Sequence, residues 1–488
     1  QLLTESLLLS TGGALLGLLL ASESVRLFNV AIQDVDKPYW IKFELDATVV
    51  LFVAAVCVLS SMLFGLLPAL RTSRSEPAGG LKESGKGVVR TSRGWLQASL
   101  VVGELALAVI LLAGAGLMVR SLFTYYSLQG GVDANNVMTA RLSLPEAKYS
   151  TPESRVRFVH DLVGKLGTAR ELSASTLVSH SPGGGGSMYR VQKPGEPEPG
   201  RLGEDGSTAM GLTITPGYFT AVGSPLIVGR DFDLKDGASG QETVIVNGRF
   251  AQRHWPKGDA VGKRIRLFGG EAPTPWFTVI GISGDIRQNS PQDPAIAPVV
   301  YLPYRSQPQT AMIVLARTIV PPANATAAIR AKVQSVDPDL PISHTQTLEK
   351  MFEGRRWAYR TFSTLFGIFA AVALGMAAVG VYAVISYSVN QRISEIGLRM
   401  ALGATGSDIL RLVAGRSARQ IGLGLGIGLA GAFAITRVIS ALLVQVSPTD
   451  PLTFGTTVFL LLAAGVAACV LPARRALSIQ PLTALHHD

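Results

Sequence analysis

Cysteine is almost absent: Cys57 and Cys469 are the only two, and both lie inside apolar runs. A disulfide framework and a cysteine zinc site are thereby excluded. Histidine is scarce as well. The six, at 160, 180, 254, 344, 486 and 487, form no H-x-x-x-H pair, so no metal site is expected, and His486 and His487 read as a solvated tail. Two motifs of group-transfer chemistry are also missing. The Gly-Lys pairs at 85–86, 164–165 and 262–263 lack the spacing and the hydroxyl residue of a G-x-x-x-x-G-K-[ST] loop, which phosphate and magnesium binding need. No serine sits in a G-x-S-x-G elbow. The sequence therefore offers no catalytic residues, no cofactor-binding residues and no metal ligands, and the chain is not expected to be an enzyme.

Charge is sparse too, at 16% of residues against 48% hydrophobic, and the mean hydropathy is +0.33. A chain of 488 residues with that balance reads as a membrane protein of several domains. What charge there is leans basic, with a formal net charge of +10. In a membrane protein this points to basic loops against the cytoplasm and anionic headgroups, not to nucleic acid; no basic groove studded with aromatics argues otherwise. The chain opens on Gln1 and enters an apolar run at once, without a cationic n-region or cleavage signal. That start reads as the tail of a longer protein.

Six apolar stretches approach the roughly 20 residues that a bilayer core demands: Ser6 to Ala21, Ala47 to Leu67, Leu96 to Val119, Phe362 to Tyr387, Ile421 to Leu443 and Leu452 to Leu471. Lys and Arg collect in two loops. Arg71, Arg74, Lys82, Lys86, Arg90 and Arg93 separate the second and third spans; Arg392, Arg399, Arg411, Arg416 and Arg419 separate the fourth and fifth. Both loops are expected in the cytoplasm, which puts about 120–359 on the outer side. Arg355, Arg356 and Arg360 stand just outside the fourth span against this assignment, but they belong to a long translocated segment where the charge rule loses force.

The ends of the chain repeat each other. Asp46/Asp450, Pro68/Pro472, Pro77/Pro481 and Leu81/Leu485 share one offset, and Ser6/Ser417, Gly13/Gly424 and Gly17/Gly428 share another seven residues longer. A difference in loop length reconciles the two. The chain then holds the last two helices of one unit and a whole second unit of helix, outer domain and three helices.

The outer segment has an α+β texture. Strand-like runs fall at Val137 to Leu144, Thr208 to Ile214, Glu242 to Asn247, Trp276 to Ile282 and Ala311 to Ala316, and helix-like runs at Pro152 to Leu166, Pro216 to Val222 and Asn324 to Val336. Thr215 and Pro216 form an N-cap and first-turn pair. "SPGGGGSMYR" at 181–190 and "KPGEPEPGRLGEDG" at 193–206 read as mobile loops.

Inside the membrane, Glu104 lies eight residues beyond Leu96, about 12 Å along a helix; a carboxylate at that depth is a functional candidate or a group bonded to a neighbouring helix. Gly422/Gly426 and Gly424/Gly428 make two overlapping G-x-x-x-G patterns that allow close helix packing. At "QRISEIGLRMALGAT", 391–405, Ile393, Ile396 and Met400 fall at helical spacing among Arg392, Glu395 and Arg399. Such a helix either lies among headgroups or docks in a protein groove.

That stretch resembles the signature of the FtsX/MacB permease family of ABC transporters, the mechanotransmission type. "TPGYFTAVGSPLIVGRDF" at 215–232, "VIVNGRFAQRHWPKGDAVGKRI" at 244–265, "VIGISGDIR" at 279–287 and "VYLPY" at 300–304 are similar to that family's periplasmic core domain, and "SPTDPLTF" at 447–454 with "LPARRALSIQPLTAL" at 471–485 extend the likeness to the end. Gly248 departs from it, since many relatives carry Glu there. The doubled arrangement resembles fused permeases with two four-helix units. The resemblance implies an α-helical membrane protein of six transmembrane helices with a large extracytoplasmic α+β domain, in the bacterial inner membrane. It implies domains over 1–95 (two helices of a first unit and a basic linker), 96–124 (first helix of the second unit), 125–355 (MacB-like periplasmic core) and 356–488 (three helices with a cytoplasmic coupling helix). Glu395, Ile396, Gly397, Arg399, Ala401, Leu402 and Gly403 are then the coupling surface for a separate ABC ATPase subunit, which holds ATP and Mg. Further partners implied are a periplasmic adaptor or outer-membrane protein, and a second unit supplied as a pseudo-dimer or homodimer. Export is the function expected; a regulatory scaffold activating a periplasmic hydrolase or signalling partner is the alternative, and an ion-coupled transporter working through Glu104 a weaker third.

Overall fold

The computed structural model describes residues 2–31, 42–62, 91–128, 131–200, 207–270, 273–390, 402 and 405–477. Two compact units emerge, one of Gln1–Gly103, Gly380–Gln420 and Arg475–Asp488, the other of Glu104–Val379 and Ile421–Arg474. In the first unit, α1 (Leu2–Ala31) and α2 (Ala47–Ser61) are joined where Asn29 donates to the carbonyl of Phe43 at 2.8 Å and Phe28 meets Phe43 edge-on. Asp46 caps α2 by accepting from the Val49 amide at 2.9 Å.

The second unit takes in most of α3 (Thr91–Ser127) and then the outer domain. The domain contains β1 (Val137–Ser143), α4 (Pro152–Gly167), β2 (Leu172–Val178), β3 (Ser187–Gln192), β4 (Thr208–Ile214), α5 (Tyr218–Ala221), β5 (Leu226–Gly229), β6 (Thr243–Asn247), α6 (Gly248–His254), β7 (Arg264–Phe268), β8 (Phe277–Ser283), β9 (Val299–Pro303), β10 (Ala311–Thr318), α7 (Pro322–Val336) and β11 (Ile342–Thr347). Three long helices follow: α8 (Leu348–Asn390), α9 (Gly406–Val438) and α10 (Pro451–Leu477).

The outer domain has two lobes. In one, β11, β1, β10 and β2 form an antiparallel sheet, and α4 and α7 cover it, burying Phe158, Leu162, Leu166, Ile329 and Val333 against Leu142 and Val314. Thr151 caps α4 through the Ser154 amide and Pro152 opens its first turn, where a missing N–H costs nothing. In the other lobe the pairings β3–β4, β4–β9, β9–β6, β6–β8, β8–β7 and β7–β3 close on themselves into a six-stranded barrel. Alternate residues of all six strands, among them Val191, Ala209, Leu302, Val246, Val279 and Leu267, meet in one core with Phe250 of α6, as the two-residue period of strands requires. The lobes touch through the single strand pair Val178–Ile214 and a shared core of Val137, Ile214, Tyr218, Phe219 and Tyr301.

Several expectations shift. The helix expected from Pro216 begins at Tyr218, with Gly217 at φ 85° in the cap position and no side-chain cap. Thr215 does not cap it, because its hydroxyl accepts from the Leu177 amide at 2.8 Å and lies 3.0 Å from the Thr176 hydroxyl. "SPGGGGSMYR" is a loop only to Gly186; Ser187 onward is β3, paired with β4 and β7. Gly248 does not disturb its helix start, since Asn247 caps α6 through the Phe250 amide.

Five helices are long and apolar enough to cross a membrane among the described residues: Leu7–Val30, Ser99–Ser127, Leu348–Ala383, Ala418–Leu442 and Pro451–Ala468. The second of the six expected spans appears as the shorter apolar helix Ala47–Ser61, and the rest of its expected length falls outside the described residues. Of the two basic loops, 71–90 and 392–400 also fall outside them.

Candidate functional site

Two helices run from the bundle into the outer domain without a break. α8 has 43 residues, about 64 Å at 1.5 Å per residue, against about 30 Å of hydrocarbon. Its excess is built into protein: Leu348 and Phe352, at its first turns, are buried in the core shared by the two lobes. α3 likewise continues to Ser127, where Tyr125 lies 5.1 Å from the Tyr359 ring and Tyr126 lies under the Arg356 guanidinium at 4.5 Å. Within the second unit, the boundary between span and outer domain is therefore where motion of one could reach the other.

Three further segments converge on that boundary. The glycine turn after β2 is held by Arg355 of α8, which donates to the Pro182 carbonyl and the Ser181 hydroxyl at 2.6 Å each. The amides of Gly183 and Gly185 donate to the carbonyls of Arg287 and Gln288, both at 3.0 Å, which fastens the turn to a strap, 284–293, that follows β8. Gly183 and Gly185 have φ of 68° and 83°, the left-handed region that favours glycine; the run of glycines serves this turn. The third segment is the loop between α9 and α10. Gln445 donates to the carbonyls of Pro291 and Asp293 at 3.2 and 2.7 Å, and Gln292 donates to the Tyr359 hydroxyl and the Ala441 carbonyl at 3.1 and 3.0 Å.

Below this layer α3 is the hub. The Ser363 hydroxyl donates to the Met118 carbonyl, the Val444 amide donates to the Ser121 hydroxyl at 2.7 Å, and Arg120 forms an ion pair with Asp450. Asp450 also accepts from the Thr453 amide at 2.9 Å, the same three-residue cap that Asp46 makes on α2.

The predicted site residues separate. Glu395, Ile396, Gly397, Arg399, Ala401 and Gly403 lie outside the described residues; Leu402 is described and is 80% exposed. Glu104 is half-buried on α3 and makes no hydrogen bond or ion pair among the described residues. Of the four glycines, Gly424 and Gly428 are buried and Gly422 and Gly426 are exposed. A Cβ on Gly428 would stand 2.6 Å from Val109 Cβ and 2.9 Å from Ala106 Cα, whereas Gly422 and Gly426 meet nothing within 4 Å. Sequence reading missed Arg355, Gln292 and Gln445. The Arg355–Arg356–Arg360 cluster at the end of a span was the one visible signal, and it was read as a charge-rule exception.

A recess of about 660 Å³ lies between α4 and the loops near Asp233 and Arg305; its buried carboxylate, Asp236, is tied to Arg230 at 2.7 and 2.9 Å. No group of three or more metal-capable side chains occurs among the described residues.

The family model for the MacB-like periplasmic core domain matches residues 100–332, and that for the FtsX-like permease C-terminal domain matches 367–481. The chain belongs to the FtsX/MacB-like permease family. It is therefore a membrane protein carrying a periplasmic-type core domain on permease helices. It is 30% identical over 287 residues to the macrolide export ATP-binding/permease protein MacB of Rhodopseudomonas palustris (strain HaA2), covering 56% of this chain and 42% of the relative. Macrolide export ATP-binding/permease protein MacB 1 of Yersinia pestis bv. Antiqua is 25% identical over 353 residues, 69% of this chain and 50% of the relative. The chain thus spans half or less of the length of these relatives. Among solved structures, the periplasmic region of MacB from Actinobacillus actinomycetemcomitans overlaps 44% of this chain and 90% of its own, at 15% identity and a TM-score of 0.28.

Proposed function

We propose that this permease is the membrane subunit of an ABC exporter in the bacterial inner membrane, converting ATP hydrolysis by a separate ATPase subunit into movement of its outer domain. The observation that carries this reading is the unbroken course of α8 from the apolar span to Leu348 and Phe352 in the outer-domain core. A continuous helix whose outer end is packed in a core transmits displacement, while among the described residues the spans offer no broken-helix pair at the midplane to bind a solute. The permease family and the macrolide export for which its relatives are named support the same conclusion.

In this reading Glu395, Ile396, Gly397, Arg399, Ala401, Leu402 and Gly403 receive the ATPase subunit on the cytoplasmic side. ATP and Mg stay on that subunit, and the permease binds no cofactor itself. The outer domain engages an adaptor or outer-membrane partner. Residues 1–95 complete a first helical unit, 96–124 open the second, 125–355 form the outer core and 356–488 close the unit, so that a pseudo-dimer or homodimer supplies the pair of units the ATPases drive.

The test is co-purification of the chain, in detergent, with nucleotide-binding subunits from its source. We expect a stable complex with wild type that Arg399→Glu and Glu395→Lys each weaken at least tenfold. Absence of a complex under every nucleotide condition would overturn the reading.

A further inference from the structure

α3 and α8 reach the outer domain through the chain itself. α9 and α10 do not: they are joined to each other by the loop 439–450, and covalently that loop leads nowhere else. A displacement entering α9 can pass outward through its packing on α3, at Gly428 against Val109, or through what the loop touches. Part of the loop grips α3, with Leu443 and Val444 buried and the Val444 amide on Ser121. The next residue turns the other way. Gln445 takes φ 51°, uncommon for a residue with a Cβ, and in that conformation its amide nitrogen meets two carbonyls of the strap, Pro291 and Asp293.

Both acceptors are carbonyl oxygens, so only the –NH2 end of the amide satisfies them. From the strap, Gln292 answers in the opposite direction, its nitrogen on the Ala441 carbonyl of the loop and the Tyr359 hydroxyl of α8. The strap is itself fastened to the outer domain: Asp285 accepts from the Arg249 amide of α6 at 2.8 Å, and Arg287 and Gln288 accept from the glycine turn.

We infer that Gln292 and Gln445 form a two-amide latch that binds the α9–α10 loop to strap 284–293, giving α9 and α10 their own connection to the outer domain. The latch stays closed while the outer domain moves, so loop and strap travel as one body. The proposal rests on the transmission reading above, but its first readout does not need an ATPase.

That readout is hydrogen exchange in the detergent-solubilised full chain. In Gln292→Ala/Gln445→Glu, which removes one amide and sets a carboxylate against two carbonyls, strap amides 287–293 are expected to exchange at least threefold faster than in wild type. Gln334→Ala, an exposed change on α7, leaves them unchanged. Wild-type exchange in the double variant overturns the latch whether or not an ATPase binds. The second readout uses the complex: nucleotide-dependent exchange in the outer domain should fall at least twofold in the double variant while the complex still forms and hydrolyses ATP, and an unchanged response overturns the coupling role. Finally, with Cys57 and Cys469 replaced by Ala, a short thiol cross-linker joining Gln292→Cys to Gln445→Cys should preserve the nucleotide response. A cross-linked chain that no longer responds shows that the pair must part, and the closed latch fails. If wild type binds no ATPase at all, the transmission reading falls and the exchange result alone decides the latch.

Discussion

Asp46 and Asp450 occupy matched places in the repeat and cap their helices alike, yet they are not equivalent. The Asp450 side chain is 10% exposed and pairs with Arg120, whereas Asp46 is exposed and its bond to the Val49 amide is the contact found for its side chain. Losing an N-cap costs about 0.5–2 kcal/mol; leaving Arg120 without its partner adds to that for Asp450 alone. We expect Asp450→Ala to lower the thermal unfolding temperature in detergent clearly more than Asp46→Ala, and equal shifts would show that the ion pair adds nothing. His254 gives a second test at one residue. Burial, with the nearby charges of Lys193 and Arg253 outweighing Glu196, pushes its pKa down to about 4. Above about pH 6.5 the ring is neutral in folded and unfolded chains alike, and stability is complete. As pH falls from 6.5 towards 4 the unfolded chain binds a proton the folded one refuses, so stability is lost. His254→Phe keeps the stacking on Phe250, 4.4 Å away, and removes the titration. The fall in melting temperature from pH 7.5 to pH 5 should shrink in that variant; an unchanged fall would place the acid sensitivity elsewhere.

Among the elements, the two G-x-x-x-G registers on α9 separate cleanly. Only the one through Gly428 faces α3, at a separation no Cβ tolerates. Gly428→Ala forces the helices apart and is expected to cost about 1–3 kcal/mol, the range for overpacking, while Gly422→Ala should stay within about 0.5 kcal/mol. Unfolding midpoints of the two variants in one detergent decide it, and a harmless Gly428→Ala would mean the helices do not pack as described. The sequence pattern could name both registers but not choose, because the choice depends on which face α3 presents. The same limit governed the outer domain. β4, Thr208–Ile214, was legible residue for residue because its alternation is local. Closure of the barrel was not, since the parallel β4–β9 pair joins Met210 to Val299, 89 residues further along the chain. Thr215 was misread because capping chemistry and a cross-strand bond to Leu177 ask for the same hydroxyl. At the membrane boundary the glycine turn was visible as glycine, but Gln292 and Gln445 sit in loops without periodicity, and nothing local distinguishes an amide that latches from one in solvent.

At the scale of the whole molecule, orientation follows from charge. Six basic residues between 71 and 93 and five between 392 and 419 bound the short connections, and holding such loops on the cytoplasmic face is the arrangement short basic loops impose. In the proposed reading the outer domain, Val137–Thr347, belongs to the outer face. Two exposed positions test this directly: Gln334 on α7 and Leu402, 80% exposed, in the connection between α8 and α9. With Cys57 and Cys469 replaced by Ala, Gln334→Cys should react with a membrane-impermeant maleimide in intact spheroplasts, and Leu402→Cys only after permeabilisation. The reverse pattern would put the coupling stretch outside and leave no place for a cytoplasmic ATPase. Labelling of both positions from outside would mean that an odd number of spans does not separate them, which would remove α8 from the membrane. The prediction is sharp because α8, whose candidate span runs from Leu348 to Ala383, is the one connection between the two positions. A helix of about 54 Å over those 36 residues exceeds the hydrocarbon core by about 24 Å, and that excess, anchored by Leu348 and Phe352, is the lever arm on which the transmission reading depends.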